Sequence, residues 1–527
     1  MSSTLYQIAN SNYVGSGSIG FGTVVSKFGR VAGLSGFQIE PNNDTANIYL
    51  TARYATMSKY NPSLVIIPSA YSSSVLYTLY AFGGGTGDFT VTNNGSGSVV
   101  NRSGLVLTGS AARANIARLD YYTGSVGSSS YPSLLVEPAA TNYIRESQFN
   151  TFATNWNFIF GTIRSTASLN TTETLSPSGD NTALKLTLYT GSNTDRLRQR
   201  FTGSNPSSII SILPTPNNST FNGVSGSFSI WLKQSGSILT TPQLSISPAG
   251  EGGPYAATIN YNLSTGTASI AGTVISMSVS PSMDRYGNGW WRCKAGFDIA
   301  TNLGSYGTES GSLSFGITPV VATSAVSQSM YVWGGQLELG ATSSLANSSY
   351  ILTTNNSSSR TADVISVSGA VSGSIGQTEG TLYAEVDVRL PGRTIIECNN
   401  RGGQASGSID ARVNLQFSSA SGNTLTALVV SGSTTVLTLA NTLTSAGIVK
   451  IAFGYKTGDS ALYVNGVSGG VSTSAFTFSA TMNEANLGQA RSTVSGLGIN
   501  VLNDRIRAVA LYTTRLSNAE LAAITQL

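Results

Sequence analysis

The chain has 527 residues, of which 10% are charged and 40% hydrophobic, and its formal net charge is +4. Ordinary globular proteins contain about 25% charged residues, and this apolar fraction excludes a disordered composition. The absence of histidine excludes histidine acid–base catalysis, Ser-His-Asp triads and histidine-ligated metals.

Residues 1–60 form a Gly/Ser-rich opening with isolated aromatic residues at Phe21, Phe28 and Phe37. We expect short strands and loops that cannot build a large core alone. The segment would dock on a partner or be completed by other copies of the chain. The three phenylalanines are therefore its candidate anchoring residues.

Residues 61–142 predict strands separated by tight turns. The runs "SVLYTLYAF" (74–82) and "FTVTN" (89–93) are broken by "GGGTGD" (83–88), as is typical of β-hairpins. The Gly-rich stretch lacks the Gly-Lys-Ser/Thr ending and the following helix of a phosphate-binding loop. We therefore interpret the interval as a hairpin-rich connecting domain.

The stretch "SLLVEPAATN" (133–142) places Glu137 between an apolar strand and Pro138. Proline cannot donate to a β-ladder, so the strand should end there. No second carboxylate or base lies near Glu137 in the sequence, which does not favour catalysis. We interpret the segment as the link to the domain that starts at residue 143. We expect Glu137 to pair with Arg118 or Arg145.

Residues 143–345 contain strands at the spacing of a β-sandwich. The clearest are "TALKLTLY" (182–189), "GSFSIWLK" (226–233), "ATINYNLSTGTASIAG" (257–272), "GWWRCKAGFDI" (289–299), "GSLSFGI" (311–317) and "MYVWGGQLELG" (330–340). In the third of these, "NLSTGT" predicts a turn between two strands. The interval is expected to be a β-sandwich.

Residues 346–527 repeat this pattern with other strands and predict a second sandwich. Asn465-Gly466 is a strong type I′ hairpin signal. Ser517 and Glu520 have capping-box spacing, which predicts one short helix at the end of an otherwise β chain. The fold class is therefore all-β, with two antiparallel sandwiches in series after an N-terminal β/loop region.

Other residue types limit the partners and cofactors. Cys293 and Cys398 lie far apart, so we expect neither a disulfide framework nor a cysteine metal site. No Lys/Arg block of the kind that follows nucleic acid is present. No signal peptide and no apolar run of about 18 residues is apparent, so membrane insertion is not expected. We expect no cofactor.

Several runs in order resemble bacteriophage tail-fibre or head-fibre proteins: "LYTLYAFGGGTGDFTVTNNGSGSVVNRSGLV", "ANIARLDY", "YPSLLVEPAATN", "GNGWWRC", "YVWGGQLELG", "SSYILTT", "RTADVISVSG", "TEGTLYAEV" and "RLSNAELAAIT". The resemblance spans about residues 62–527. It implies a virion-side region, a carbohydrate-binding-module-like jelly roll and a concanavalin A-like (laminin-G-like) sandwich.

The resemblance further implies a virion structural protein, commonly a homotrimer, made in the host cytoplasm. Its partners would be other copies of itself, capsid, portal, collar or tail proteins through the N-terminal region, and a host surface polysaccharide or glycan. A purely structural decoration protein and a capsule depolymerase remain alternatives.

The best candidate for catalysis is "EVDVRL", where Glu385 and Asp387 share one strand face. Retaining glycoside hydrolases of the concanavalin A-like fold have a Glu-x-Asp-x-Glu strand, and here Arg389 stands at the last position. Without a second glutamate the double displacement has no acid/base. We expect a non-catalytic, solvent-facing strand edge, although a site between chains could use Asp284 or Glu251.

Sugar binding needs flat aromatic faces beside polar groups. Strand alternation places Trp231 and Trp290 on polar-looking faces, whereas Trp291 falls on the uniformly apolar face of its strand. Trp231, Trp290 and Trp156 are therefore the candidate carbohydrate-binding residues. In the alternative, a loop carrying Trp156 or a neighbouring domain covers the first two. Trp333 is expected to be structural.

Overall fold

The computed structural model describes residues 37–38, 56–68, 70–71, 75–76, 80–81, 89–122, 128–149, 156–159, 166–188, 196–202, 224–236, 241–247, 257–272, 277–299, 312–320, 328–340, 348–388, 393–402, 407–418, 423–445, 447–492 and 496–527. The candidate anchoring residues Phe21 and Phe28 lie outside these ranges. Phe37 lies in a two-residue strand of which only the backbone is described.

The described strands up to residue 142 are β1 (Phe37–Gln38), β2 (Leu64–Ile66), β3 (Ala70–Tyr71), β4 (Val75–Leu76), β5 (Tyr80–Ala81), β6 (Phe89–Thr92), β7 (Val99–Val100), β8 (Val106–Leu107), β9 (Leu119–Tyr122), β10 (Ser128–Val136) and β11 (Ala140–Asn142). The next are β12 (Asn157–Ile159), β13 (Thr166–Ser168), β14 (Leu184–Leu188), β15 (Arg196–Thr202), β16 (Ser225–Ser235), β17 (Thr241–Ser247), β18 (Ala257–Asn262), β19 (Thr267–Ile270), β20 (Met277–Arg285), β21 (Trp291–Ile299), β22 (Ser312–Val320) and β23 (Gln328–Leu339).

The remaining elements are β24 (Ser358–Arg360), β25 (Val364–Ser368), β26 (Glu379–Val388), β27 (Thr394–Asn399), β28 (Ala411–Phe417), β29 (Thr424–Ser431), β30 (Thr434–Thr442), β31 (Gly447–Lys456), β32 (Ser460–Val464), β33 (Val467–Ser472), β34 (Glu484–Leu487), β35 (Ala490–Ser492), β36 (Gly496–Ile499), β37 (Asp504–Tyr512) and helix α1 (Asn518–Ile524). The sheets are antiparallel, and the prediction of an all-β chain with two sandwiches and a short terminal helix is confirmed.

The sandwich built by residues 143–345, called the middle sandwich, packs two sheets face to face. As described, one has the order β12-β15-β22-β17-β18-β19 and the other β13-β14-β23-β16-β21-β20. Alternating apolar side chains from both sheets meet in one core, including Phe228, Cys293, Phe297 and Phe315. This is the arrangement that period-2 patterning predicts, because every second side chain of a strand points to the same face.

The second sandwich takes strands from both ends of the chain. Among the described strands, one sheet has the order β33-β32-β31-β26-β37-β10-β9, with β2 also paired to β37, and the other β30-β29-β28-β27-β34-β25-β6-β4. Leu64 of β2 pairs with Leu511, and Leu134 of β10 pairs with Ile506. Residues 61–142 thus supply strands to the sandwich that residues 346–527 complete.

The sequence predicted two sandwiches in series; instead, the middle sandwich is inserted into the second one. The chain enters it through β11 and leaves it through β24, and these two strands pair with each other, Ala140 opposite Arg360. We call this pair the connector. Because the two passes of chain run side by side, hydrogen bonds between them can fix how the two sandwiches meet.

Local predictions at the C-terminal end are confirmed. Asn465 and Gly466 have φ of 50° and 82° and join β32 to β33, as a type I′ turn requires. Ser517 and Glu520 form a complete capping box at α1. Leu521 and Ile524 of this helix pack on the outer face of the sheet that holds β26 and β37. In the described part of the chain, no helix combines the length and the apolar character needed to cross a membrane.

Candidate functional site

Trp231 and Trp290 do not offer stacking faces, because both are 0% exposed. They belong to an aromatic cluster, the joint cluster, in which residues of the middle sandwich pack against Val106 of β8 and Tyr350. Its members are Val106, Ala183, Trp231, Trp290, Tyr331, Trp333 and Tyr350. Val106 and Tyr350 from outside the middle sandwich, together with its own loop at Leu175, thus cover these indoles.

The contacts of the joint cluster explain why strand alternation was misleading. The Trp231 ring packs edge-on against Tyr350 at 5.3 Å between centroids, and the Arg292 guanidinium lies over it at 4.4 Å. Trp290 donates from Nε1 to the carbonyl of Leu175 at 2.9 Å. The polar side chains beside Trp231 therefore face a second, partly polar protein layer rather than solvent.

Trp156 is also a core residue, at 2% exposure. It packs against Phe149 at 4.6 Å and donates from Nε1 to the carbonyl of Arg145 at 3.0 Å. Trp333 is buried and donates to Thr182 Oγ1 at 2.9 Å, which confirms its structural interpretation. The three tryptophans predicted to bind sugar are thus packing residues in the described structure.

A half-buried tryptophan, Trp291, lines an open cleft of about 380 Å³ at one end of the middle sandwich. Three segments meet at the cleft: the end of β16, the β18–β19 turn, and the link between β20 and β21. Its lining residues are Lys233, Gln234, Leu263, Ser264, Thr265, Arg285, Gly289 and Trp291. We call it the Trp291 cleft.

Sequence reasoning missed Trp291 because its strand face is apolar. Cys293, Ala295 and Phe297 on that face are indeed core residues. Trp291, however, is the first residue of β21, only two residues after Gly289 of the Gly287–Gly289 turn, so it packs on the end of the core and reaches the surface. Its position beside a glycine turn was the available signal.

The cleft combines an aromatic ring with polar and cationic groups. Arg285 lies over the Trp291 ring, with 5.9 Å between the guanidinium carbon and the ring centroid. Lys233 donates to Thr174 Oγ1 at 2.8 Å, and burial lowers the pKa of its ammonium. Ser264 and Thr265 are exposed on the turn above. An indole face beside hydroxyl, amide and cationic groups matches the chemistry of a sugar ring, which has C–H faces and a hydroxyl rim.

Comparisons with known proteins give weak structural likenesses. A scan against family models found no match, and no curated protein matched. Among solved structures, the CBM40 module of a Ruminococcus gnavus IT-sialidase is 18% identical, with 30% of this chain and 88% of that chain covered and a TM-score of 0.26. A leech intramolecular trans-sialidase is 14% identical over 31% of this chain and 26% of that chain, with a TM-score of 0.26. A SAP-like pentraxin of Limulus polyphemus is 10% identical over 27% and 68%, with a TM-score of 0.22. At these values the likenesses carry no argument about this chain.

The carboxylates of the "EVDVRL" strand are enclosed rather than solvent-facing, which corrects the expected strand edge. β26 is a central strand between β31 and β37, and Glu385 is 1% exposed. Its Oε1 lies 3.1 Å from the Arg507 Nε. Asp387 is buried as well, and Arg389 lies outside the described residues.

Glu137 sits in a buried ion-pair network at the connector. Its Oε2 lies 2.7 Å from Arg118 Nη2, a predicted partner, and 3.0 Å from Arg360 Nη1, a partner that was not predicted. Ser349 donates to both carboxylate oxygens, from its backbone N and its Oγ, at 2.6 Å each. Asp363 closes the network by accepting from Arg118 Nε at 3.0 Å and from the Glu137 backbone N at 2.9 Å.

Burial alone would raise the pKa of the Glu137 carboxyl. Arg360, Arg118 and the Ser349 hydrogen bonds outweigh burial and hold the pKa well below its usual range. The carboxylate is therefore charged and fully engaged, a structural role rather than that of an acid or base.

A second polar cluster lies on the outward face of the sheet that contains β27, β28 and β34. Burial raises the pKa of Glu397, although Arg412 opposes this shift from 3.5 Å. Glu484 is paired with Arg491 at 2.8 Å. Because a guanidinium already faces each carboxylate, this cluster does not favour a cation.

Proposed function

We propose that this chain is a bacteriophage virion fibre subunit that binds a glycan of the host surface through the Trp291 cleft. The cleft carries the binding proposal, because it joins an accessible indole to hydroxyl and cationic groups in an open depression. The ordered sequence resemblance to phage fibre proteins supports the virion assignment. In this proposal residues 1–60 attach the subunit to capsid, portal, collar or tail proteins.

The connector supports a role in which the subunit presents the Trp291 cleft to the host surface. Paired strands and a buried ion network hold the middle sandwich on the second one, so the cleft keeps a fixed place on the subunit. In a homotrimer each fibre would carry three clefts. A shallow sugar site binds weakly, and several clefts engaged together would supply useful avidity.

Binding without turnover is part of the proposal. The carboxylate pair best placed for hydrolysis, Glu385 and Asp387, is buried, and Glu385 faces Arg507. A capsule depolymerase would instead release oligosaccharides from host polysaccharide. Normal adsorption by particles that lack the protein would favour a decoration protein.

Trp291→Ala tests the binding proposal. We expect binding of the purified chain to host cells to fall at least about tenfold, because the stacking surface is lost while the core beneath stays packed. The measurement is cell binding by flow cytometry, with thermal unfolding as the check on folding.

Trp231→Ala is the matched control for loss of an indole. It opens a cavity in the joint cluster, so we expect a large drop in melting temperature of the kind that burial of a tryptophan implies. Unchanged cell binding by folded Trp291→Ala protein would refute the cleft as the binding site.

A further inference from the structure

We infer that the Trp291 cleft selects saccharides that carry negative charge. This inference rests on the proposed function and names the ligand class of the same site. It follows from the charges that line the cleft, which are Lys233 and Arg285; no Asp or Glu is among the lining residues in the described structure.

The carboxylates that adjoin the cleft residues in sequence are engaged elsewhere. Asp284, next to Arg285, lies on the other face of β20 with its Oδ2 2.6 Å from Lys294 Nζ. Glu173, next to the Thr174 that binds Lys233, is paired with Lys185 at 2.7 Å. Neither of these carboxylates is therefore available to neutralise the cleft.

The two cations in the cleft keep binding capacity. Arg285 is exposed and contacts the Trp291 ring through a cation–π interaction, without a carboxylate partner among the described residues. Lys233 donates one hydrogen bond, to a neutral hydroxyl, although an ammonium has three donors. Carboxylate, sulfate or phosphate oxygens would accept charge-assisted hydrogen bonds from both groups.

The geometry also favours a ligand with an apolar face over a bare anion. The guanidinium and the indole lie together, so a ligand with an anionic group and an apolar ring face contacts both at once. The exposed Ser264 and Thr265 on the overlying turn can reach its hydroxyls. An acidic sugar residue unites these three features.

The test is an array of oligosaccharides in which each acidic member is printed beside a neutral counterpart of the same backbone. Carboxylated members are paired with their methyl esters, and sulfated and phosphorylated members with their unsubstituted forms. Comparing the pairs shows whether a carboxylate, a sulfate or a phosphate group is recognised. The full chain is compared with Lys233→Gln, Arg285→Gln, Arg285→Lys and the distant charge-loss control Lys456→Gln.

We expect the full chain to bind acidic members over their neutral counterparts by at least about tenfold, and each Gln variant to lose about tenfold on acidic members alone. Arg285→Lys should retain part of the binding, and Lys456→Gln all of it. Binding that falls as salt rises from 50 to 500 mM would agree.

Equal binding of acidic and neutral counterparts, or equal losses in Lys456→Gln, would overturn the charge selection and leave glycan binding intact. Absence of binding to every member of the array would contradict the proposed function itself.

Discussion

At the residue scale, Glu137 shows how a charged group can look catalytic and act structurally. It is 3% exposed and has two guanidinium partners and two hydrogen bonds from Ser349. A buried carboxylate stays charged only when such groups replace its water, and these also hold the chain passes together. The sequence predicted Arg118 as a partner, because that arginine lies only 19 residues before Glu137, next to the preceding strand β9. The sequence could not predict Asp363 as a partner, because Asp363 lies 226 residues from Glu137.

Glu137→Gln should lower the free energy of unfolding by about 3 kcal/mol near neutral pH, since Arg118 and Arg360 lose a buried counter-charge. Urea unfolding followed by tryptophan fluorescence measures this. Glu379→Gln is the control, because its pair with Lys456 is 31% and 48% exposed at the two side chains and should contribute little. Equal losses in both variants would contradict a structural role for the network.

Glu137 also makes the free energy of unfolding depend on pH. A carboxyl with a depressed folded pKa contributes stability that is present above its unfolded pKa of about 4.3 and lost as pH falls through the folded pKa. The difference between the wild-type chain and Glu137→Gln should therefore shrink as the pH is lowered below about 4. A difference that stays constant to pH 2 would show that charge is not its cause.

At the element scale, the side-chain period predicted where the strands lie. It did not predict what packs against them. β16 and β21 pair as an antiparallel sandwich requires, and their apolar faces form the core. Their other faces carry Ser229, Lys294 and Trp231, a mixture that resembles a solvated face. Alternation separates two faces of a strand, and it contains no information about what packs on the second face.

Gly334 of β23 shows how closely the backbone packs against Trp231 on the second face of β16. It has φ of 66°, and a Cβ there would lie 2.6 Å from Trp231 Cε3. The pairing between β16 and β23 is irregular at the same place, between Ser229 and Trp231. Glycine is needed here for both its backbone conformation and the space beside the indole.

Gly334→Ala should lower the free energy of unfolding by at least about 2 kcal/mol, through the left-handed backbone and the displaced indole. Gly236→Ala isolates the backbone contribution, because φ there is 81° and nothing lies within 4 Å of the added Cβ. We expect that control to lose only about 1 kcal/mol. Urea unfolding compares them, and equal losses would argue against the contact with Trp231.

At the scale of the whole molecule, one sandwich is interrupted by another. Strand β37 near the C-terminal end pairs with β2 and β10 from the first part of the chain, and β25 pairs with β6. The second sandwich therefore takes buried side chains from before the insertion, namely Leu64, Ile66, Phe89, Val91, Leu134 and Val136.

A fragment of residues 346–527 should consequently be much less stable than residues 56–527. Each large apolar side chain contributes about 2 kcal/mol by burial, so six together approach the net stability of a typical domain, about 5–15 kcal/mol. We expect the short fragment to aggregate or to lack a cooperative thermal transition, measured by circular dichroism. A cooperative transition at the temperature of the longer chain would contradict the contribution of the early strands.

The sequence by itself determined the all-β class, most strands of both sandwiches, the Asn465-Gly466 turn, the end of β10 just before Pro138 and the capped helix α1. These features depend on neighbours a few residues apart, whose side-chain period and turn preferences are read directly. Only the tertiary structure decided that the second sandwich is completed by early strands, that Trp231 and Trp290 are covered, and that Trp291 opens into a cleft. Those outcomes depend on contacts between residues hundreds of positions apart, and the local pattern of a strand is the same whichever layer covers it.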